Sequence, residues 1–253
     1  MVTRRDIEAT CADIVREFSP LQIILFGSYA YGVPTEHSDV DLLVVMPIPK
    51  SENRRQALAI REQIPSRFSM DIIVRSPEEI AYRISHNDWF LKEVTERGEV
   101  LYESENNYIK PFKKENMEMN PLTIEWVEKA EGDYSVAKEN QQGPNPVHHV
   151  ICFLAQQCAE KYLKACLQEM NIPIIRTHNL SQLLDLILPA IPDWKVWQAD
   201  LSKLSDFAVD TRYPAQTPSE SDVVHAMQTC EMVRLAVREH LKLPDENDEN
   251  EIK

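Results

Sequence analysis

Glycine is scarce in this 253-residue chain, with 5 in all, and no apolar run approaches the roughly 20 residues needed to cross a bilayer. The first shortage excludes collagen-like and flexible low-complexity chains. With 43% hydrophobic residues, it leaves a globular protein of one large domain or two ordinary ones. The second, together with a start (MVTRRDIEAT) that lacks the apolar centre of a signal peptide, predicts a cytoplasmic protein with no membrane partner. Positive charge is also short, 27 Lys and Arg against 41 Asp and Glu, for a formal net charge of −14. That balance argues against a surface that gathers nucleic acid or anionic lipid indiscriminately, so a polyanionic ligand is expected to be held locally, through a metal ion. The five cysteines, Cys11, Cys152, Cys158, Cys166 and Cys230, are odd in number and form no CxxC pair. They are expected as reduced core residues, not as a disulfide or zinc framework.

The first hundred residues alternate between helical and strand periods. An amphipathic helix is predicted over Thr3 to Phe18, with Ile7, Cys11, Ile14 and Phe18 on one face. Strands are predicted over Leu21 to Phe26, Val40 to Met46 and Phe68 to Arg75, with a small closing strand at Val100 to Tyr102. Helices fall over Ser51 to Ile64, from Ser76-Pro77-Glu78-Glu79 onward, where the spacing predicts a capping box, and over Trp89 to Glu96. The expected unit is an α/β (α+β) domain with a mixed sheet over residues 1–103. Residues 104–121 turn to Glu, Asn and Lys with little apolar periodicity and read as a linker.

Beyond Pro121 the periodicity is helical throughout. Helices are predicted over Thr123 to Asn140, His148 to Met170, Thr177 to Leu188, Trp194 to Asp210, and from Thr217-Pro218-Ser219-Glu220 to about Leu241. Five helices on short connections predict an all-α up-and-down bundle over residues 122–242. The acidic run within residues 243–253 reads as a solvated tail.

The residues with the clearest chemistry are Phe26-Gly27-Ser28-Tyr29-Ala30-Tyr31-Gly32, followed by Ser38-Asp39-Val40-Asp41-Leu42. A strand ends at Phe26, and Gly27 allows a sharp turn that exposes backbone N–H groups where a helix begins. Such a turn holds phosphate oxygens, with the Ser28 hydroxyl as a further donor. Strand residues two apart share a face, so Asp39 and Asp41 present their carboxylates together while Val40 turns inward. Two adjacent carboxylates repel unless a divalent cation lies between them, and magnesium suits an all-oxygen donor set shared with phosphates. Asp71 is a third carboxylate, set in an otherwise apolar strand, and there it needs a metal, a hydrogen-bonding network or an edge position. If the third strand lies beside the second, the three carboxylates converge in the arrangement used for two-metal phosphoryl transfer.

Gly27-Ser28, ten intervening residues and Asp39-Val40-Asp41, with Asp71 in a hydrophobic strand, resemble the signature of the minimal nucleotidyltransferases of the DNA polymerase beta superfamily. The resemblance covers roughly residues 20 to 76. It implies that Asp39 and Asp41 bind metal, that Asp71 is a ligand and the base toward an acceptor hydroxyl, and that Gly27 and Ser28 contact nucleotide phosphates. The segment from Ala155 to Ala165 (AQQCAEKYLKA), then Arg176-Thr177-His178-Asn179-Leu180 and Asp210-Thr211-Arg212-Tyr213-Pro214, is similar to the HEPN helical bundles found beside or fused to such enzymes. Arg176, His178, Arg212 and Tyr213 are the candidate residues of that half.

Many HEPN proteins are ribonucleases that use an Arg and a His four to six residues apart. The match here is Arg234 to His240, on one helix where positions six apart diverge by about 120°, and Lys242 stands where an aromatic residue would follow. A ribonuclease is therefore not expected. The expected reaction transfers a nucleoside monophosphate, AMP from ATP, to an acceptor hydroxyl on protein, RNA or a small molecule, with two magnesium ions. Three alternatives stay open: an aminoglycoside-type transferase, a toxin–antitoxin-like regulatory module, and a bundle that serves nucleotide binding or homodimer formation.

Overall fold

The computed structural model describes residues 2–65, 68–105, 119–210 and 217–244. The chain divides into two compact units, Met1–Asn116 and Met117–Lys253.

The first unit is built on a four-stranded mixed sheet in the order β3-β2-β1-β4. Its strands are β1 (Gln22–Phe26), β2 (Val40–Val45), β3 (Met70–Arg75) and β4 (Glu99–Glu103). β1 pairs antiparallel with both β2 and β4, and β2 pairs parallel with β3. The parallel pair requires a crossover, which α3 (Asn53–Gln63) supplies. The near-continuous apolar runs IILF and LLVV arise because helices cover both faces of the two central strands. On one face Ile23, Leu25, Val40, Leu42 and Val44 pack with Ile7, Cys11 and Ile14 of α1 (Arg4–Phe18) and with Ile60 of α3. On the other, Ile24, Phe26, Leu43 and Val45 pack with Ile80 of α4 (Pro77–Ser85) and with Leu91 and Val94 of α5 (Trp89–Arg97). A four-residue helix, α2 (Ser28–Tyr31), follows β1 directly.

Local signals explain most boundaries, and several differ from expectation. Thr3 caps α1 in a capping box with Asp6, and Arg4 of its first turn reaches Glu99 of β4 through two bonds of 2.5 and 2.6 Å. Ser76 caps α4, but its Glu79 does not reach back. The Glu79 carboxylate instead accepts from Asn53 Nδ2 at 2.6 Å and pairs with Arg75 at 3.3 Å. Before the last helix the cap is Ser219 with Asp222, so Pro218 precedes the cap and does not open the helix.

The second unit is helical, with α6 (Pro121–Gln142), α7 (His148–Glu169), α8 (Leu180–Ile187), α9 (Gln198–Asp210) and α10 (Glu220–Leu241). The helix expected from Thr177 starts later, because Asn179 is its cap and the Thr177 hydroxyl donates to Gln182 at 2.8 Å. Residues Pro192–Trp197 form a separate 3₁₀ turn ahead of α9, with Trp194 and Trp197 buried and stacked at 4.5 Å. α7 packs against α6, α8, α9 and α10. Thirteen of its 22 residues are buried, so it lacks the one-sided pattern of a surface helix and is the centre of the bundle. All five cysteines are free and buried. Burial pushes the Cys11 thiol up to about 11 and those of Cys152 and Cys166 up to about 12, so they stay protonated.

One polar cluster ties α6, α7 and α10 together. Arg234, 3% exposed, donates to Glu131 Oε2 at 3.0 Å and lies over the Tyr134 ring at 4.4 Å. Arg238 donates to Glu131 Oε1 at 2.5 Å, and the Tyr162 hydroxyl donates to the same oxygen. Burial alone would raise the Glu131 carboxyl, but the bonds from Arg234 and Tyr162 and the charge of the two arginines hold it below its ordinary value of 4.5. Because the folded value is depressed, this stabilisation is fully present above the unfolded carboxyl value and is lost as pH falls through the folded one. Glu131→Gln is expected to cost about 1–3 kcal/mol at pH 7. Denaturant melts followed by circular dichroism should show that gap closing as pH drops below 4.5; a gap independent of pH would contradict the assignment.

Candidate active site

The antiparallel register of β1 and β2 sets Phe26 opposite Asp41, so Gly27 turns immediately beyond the last rung. Gly27 has φ +71° and ψ −147°, a conformation confined almost entirely to glycine. A Cβ built on it would lie 2.1 Å from Asp41 Oδ2, so the carboxylate of Asp41 rests where any other side chain would be. The Gly27 carbonyl accepts from the amides of Ala30 and Tyr31 at 3.2 and 3.1 Å, closing α2. Gly32 ends that helix, and a Cβ there would meet Ser28 Cα at 2.9 Å. The two glycines of the motif therefore bracket a backbone turn pressed against β2. Ser28 is half-buried at its start.

Asp39 is exposed and immediately precedes β2, while Asp41 is the second residue of the strand and half-buried. Ser38 fixes the turn that delivers Asp39, since its hydroxyl accepts from the Thr35 amide at 2.9 Å and its amide donates to the Thr35 carbonyl at 3.2 Å. Asp39 borders a cavity of about 560 Å³ that is also lined by Asp6, Glu36, His37, Phe68 and Ser69.

β3 does lie beside β2, and Asp71 is the register partner of Asp41. In a parallel pair, register partners share a face, so both side chains leave the sheet on the same side. Asp71 nevertheless has another partner, because its Oδ1 accepts from Arg61 Nη2 of α3 at 2.7 Å. Among the described residues, no three Asp, Glu, His or Cys side chains gather closely enough to hold a metal ion. Arg61 is a contact that sequence reasoning missed. Ile60 before it points into the core, but nothing in the sequence shows that β3 is an outer strand within reach of the next residue.

The oxygen-only donors Asp39, Asp41 and Asp71, together with the Ser28 hydroxyl, fit a hard divalent cation. The space above Gly27 accommodates the Asp41 carboxylate only because no Cβ is there. These side chains thus have the donor chemistry of such an ion's ligands, without gathering, among the described residues, into a cluster that holds one.

In the helical unit, His178 lies just before the cap of α8, with Nδ1 at 3.2 and 3.1 Å from the two Glu160 carboxylate oxygens. Gln156 Nε2 donates to Glu160 at 2.9 Å and to the His178 carbonyl at 3.1 Å, and Lys164 Nζ donates to Glu160 at 2.7 Å. Burial pushes Glu160 up, but Lys164, Gln156 and His178 together hold it below the ordinary carboxylate value. Arg176 is exposed. Arg212 and Tyr213 lie outside the described residues. Arg234 is committed to Glu131, whereas His240 meets the edge of Trp194 at 5.8 Å, so that pair does not converge on one site.

Comparison with known families agrees with both halves. Residues 9–130 match the nucleotidyltransferase domain and residues 123–240 match the HEPN domain. The chain thus carries a segment that matches a nucleotidyltransferase domain, followed by one that matches a HEPN domain. Among solved structures, it is similar to TT1696 from Thermus thermophilus, with 19% identity and a TM-score of 0.41 over 46% of this chain and 96% of that one. It is also similar to ST0689, an archaeal HEPN homologue, with 24% identity and a TM-score of 0.38 over 47% of this chain and 97% of that one. No curated protein matches the chain. Among the described residues no helix is long and apolar enough to cross a membrane.

Gly27→Ala combines a forbidden backbone angle with a clash against Asp41. It is expected to destabilise the first unit by about 1–3 kcal/mol. Thermal melts would check this, and a variant with native stability would contradict the geometry.

Proposed function

We propose that the first unit transfers a nucleoside monophosphate, AMP from ATP, to an acceptor hydroxyl on protein, RNA or a small molecule. The acceptor oxygen forms a bond to the α-phosphorus, the bond from that phosphorus to the bridging oxygen breaks, and pyrophosphate leaves. The observation that carries this reading is Asp41, seated against Gly27 on one side and set opposite Asp71 on the other. Asp39 and Asp41 hold magnesium, Asp71 is the third ligand and takes the acceptor proton, and the turn at Gly27 and Ser28 receives phosphate oxygens. Bound magnesium, two ions in all, supplies positive charge that offsets the triphosphate and the leaving pyrophosphate.

The second unit we assign as a binding module and homodimer surface without ribonuclease activity. The burial of Arg234 in the Glu131 cluster favours this, since a catalytic Arg has to reach substrate. In a toxin–antitoxin-like pairing the same unit would be the regulated partner. An acceptor screen with labelled ATP separates transfer to an aminoglycoside-like small molecule from transfer to protein or RNA.

Asp39→Asn and Asp41→Asn are each expected to lower magnesium-dependent pyrophosphate release by at least about 100-fold. Both changes should leave the melting temperature within a few degrees, because neither carboxylate is fully buried. Undiminished release in either variant would overturn the proposal.

A further inference from the structure

The cavity of about 560 Å³ beside Asp39 has the size of a small-molecule site. Its position follows from the sheet, in which β2 lies between β1 and β3. On the β1 side, the turn at Gly27 presses against Asp41. On the β3 side, the pairing of Asp41 with Asp71 and of Val40 with Met70 continues one step further, where the Val40 amide donates to the Ser69 carbonyl at 3.1 Å. Asp39, Phe68 and Ser69, at the entry ends of these two parallel strands, line the cavity, whereas no residue of the turn at 27–32 is among its described lining residues. The turn and the cavity therefore approach the Asp39, Asp41 segment from different sides. In phosphoryl transfer the attacking and leaving oxygens stand roughly in line across the phosphorus, so an acceptor needs a place of its own, apart from the one that holds the triphosphate.

We infer that this cavity receives the acceptor, and that the acceptor is a small hydroxyl-bearing molecule carrying an amine. The inference rests on the proposed nucleotidyl transfer and narrows its acceptor. The carboxylates of Asp6, Glu36 and Asp39 all line the cavity, and two of them, Asp6 and Glu36, lie outside the proposed catalytic set. Among the described lining residues the other ionisable group is His37, with no Lys or Arg to offset the acids. Walls of one sign concentrate ligands of the other, so an ammonium group is drawn in and a phosphate is repelled. Phe68 supplies an apolar ring for a carbon skeleton or for the cation itself. An RNA end, with a phosphate on every nucleotide, is the acceptor this cavity suits least.

The test is saturation-transfer NMR on the full chain with matched probes: glucosamine with its amine protonated, glucose, and glucose 6-phosphate. Glucosamine is expected to receive the most saturation, glucose less and the phosphate none. Glu36→Lys changes an exposed residue and is expected to weaken glucosamine binding about two- to tenfold, the range for reversing one exposed charge. Its melting temperature and its Kd for ATP should match the wild type, and Glu36→Gln should fall between the two in glucosamine affinity. Glucosamine should stay bound when ATP is added; displacement would make the cavity part of the nucleotide's place and overturn the inference. It is equally overturned if the probes bind alike, if the phosphate binds best, if none binds, or if Glu36→Lys leaves glucosamine affinity unchanged. If the probes behave as expected but the wild type releases no pyrophosphate from ATP with magnesium, the transfer reading fails and the acceptor role falls with it, while the cavity's preference for a cation stands.

Discussion

The contact between Gly27 and the carboxylate of Asp41 is the constraint on which the candidate site depends. It follows from one register, Phe26 opposite Asp41, and from one backbone angle, φ +71° at Gly27. A slip of one residue between β1 and β2 would exchange the faces of every side chain on the slipped strand. Asp41 would then enter the Ile7, Ile14 and Ile60 core, and Val40 would leave it. The apolar residues that fix the register are therefore the same ones that aim the carboxylate. The turn motif, the paired aspartates and the core are three consequences of a single strand alignment.

The second unit is held by a different logic. Its central helix is buried nearly all round, and two carboxylates, Glu131 of α6 and Glu160 of α7, are each held by several partners. Glu131 is clamped by Arg234, Arg238 and Tyr162, and Glu160 by Lys164, Gln156 and His178. Breaking either cluster leaves a desolvated charge without its partner, which costs more than losing an exposed ion pair. Such groups are poorly placed to turn over a substrate and well placed to fix helix positions. That physical distinction, more than any motif, separates the two halves of the chain into one with exposed or half-exposed carboxylates around a turn and one with buried charges inside a bundle.

Much of this was legible in the sequence. The apolar runs at Ile23 to Phe26 and Leu42 to Val45 announce central strands, because only a sheet covered on both faces buries consecutive residues. Gly27 and the Asp39, Asp41 pair announce a site because glycine and paired acids are costly next to a core without a task. Boundaries were less legible where competing caps lie close together, as at Thr177 and Asn179, or at Pro218 and Ser219. The reach of Glu79 to Asn53 and of Arg61 to Asp71 could not be read, since each joins elements whose adjacency is set by the sheet order. The third strand does lie beside the second, with Asp41 and Asp71 in register, but Asp71 is bonded to Arg61 and, among the described residues, the three carboxylates do not gather into one cluster.

The central claim is that Asp39 and Asp41 hold a divalent cation beside the turn at Gly27. The most direct measurement is anomalous diffraction from crystals of the full chain grown with manganese and a non-hydrolysable nucleoside triphosphate. A peak within coordinating distance of both carboxylates, with triphosphate oxygens over Gly27 and Ser28, is the predicted result. Nucleotide bound elsewhere, or bound at the turn with manganese away from both aspartates, would contradict it.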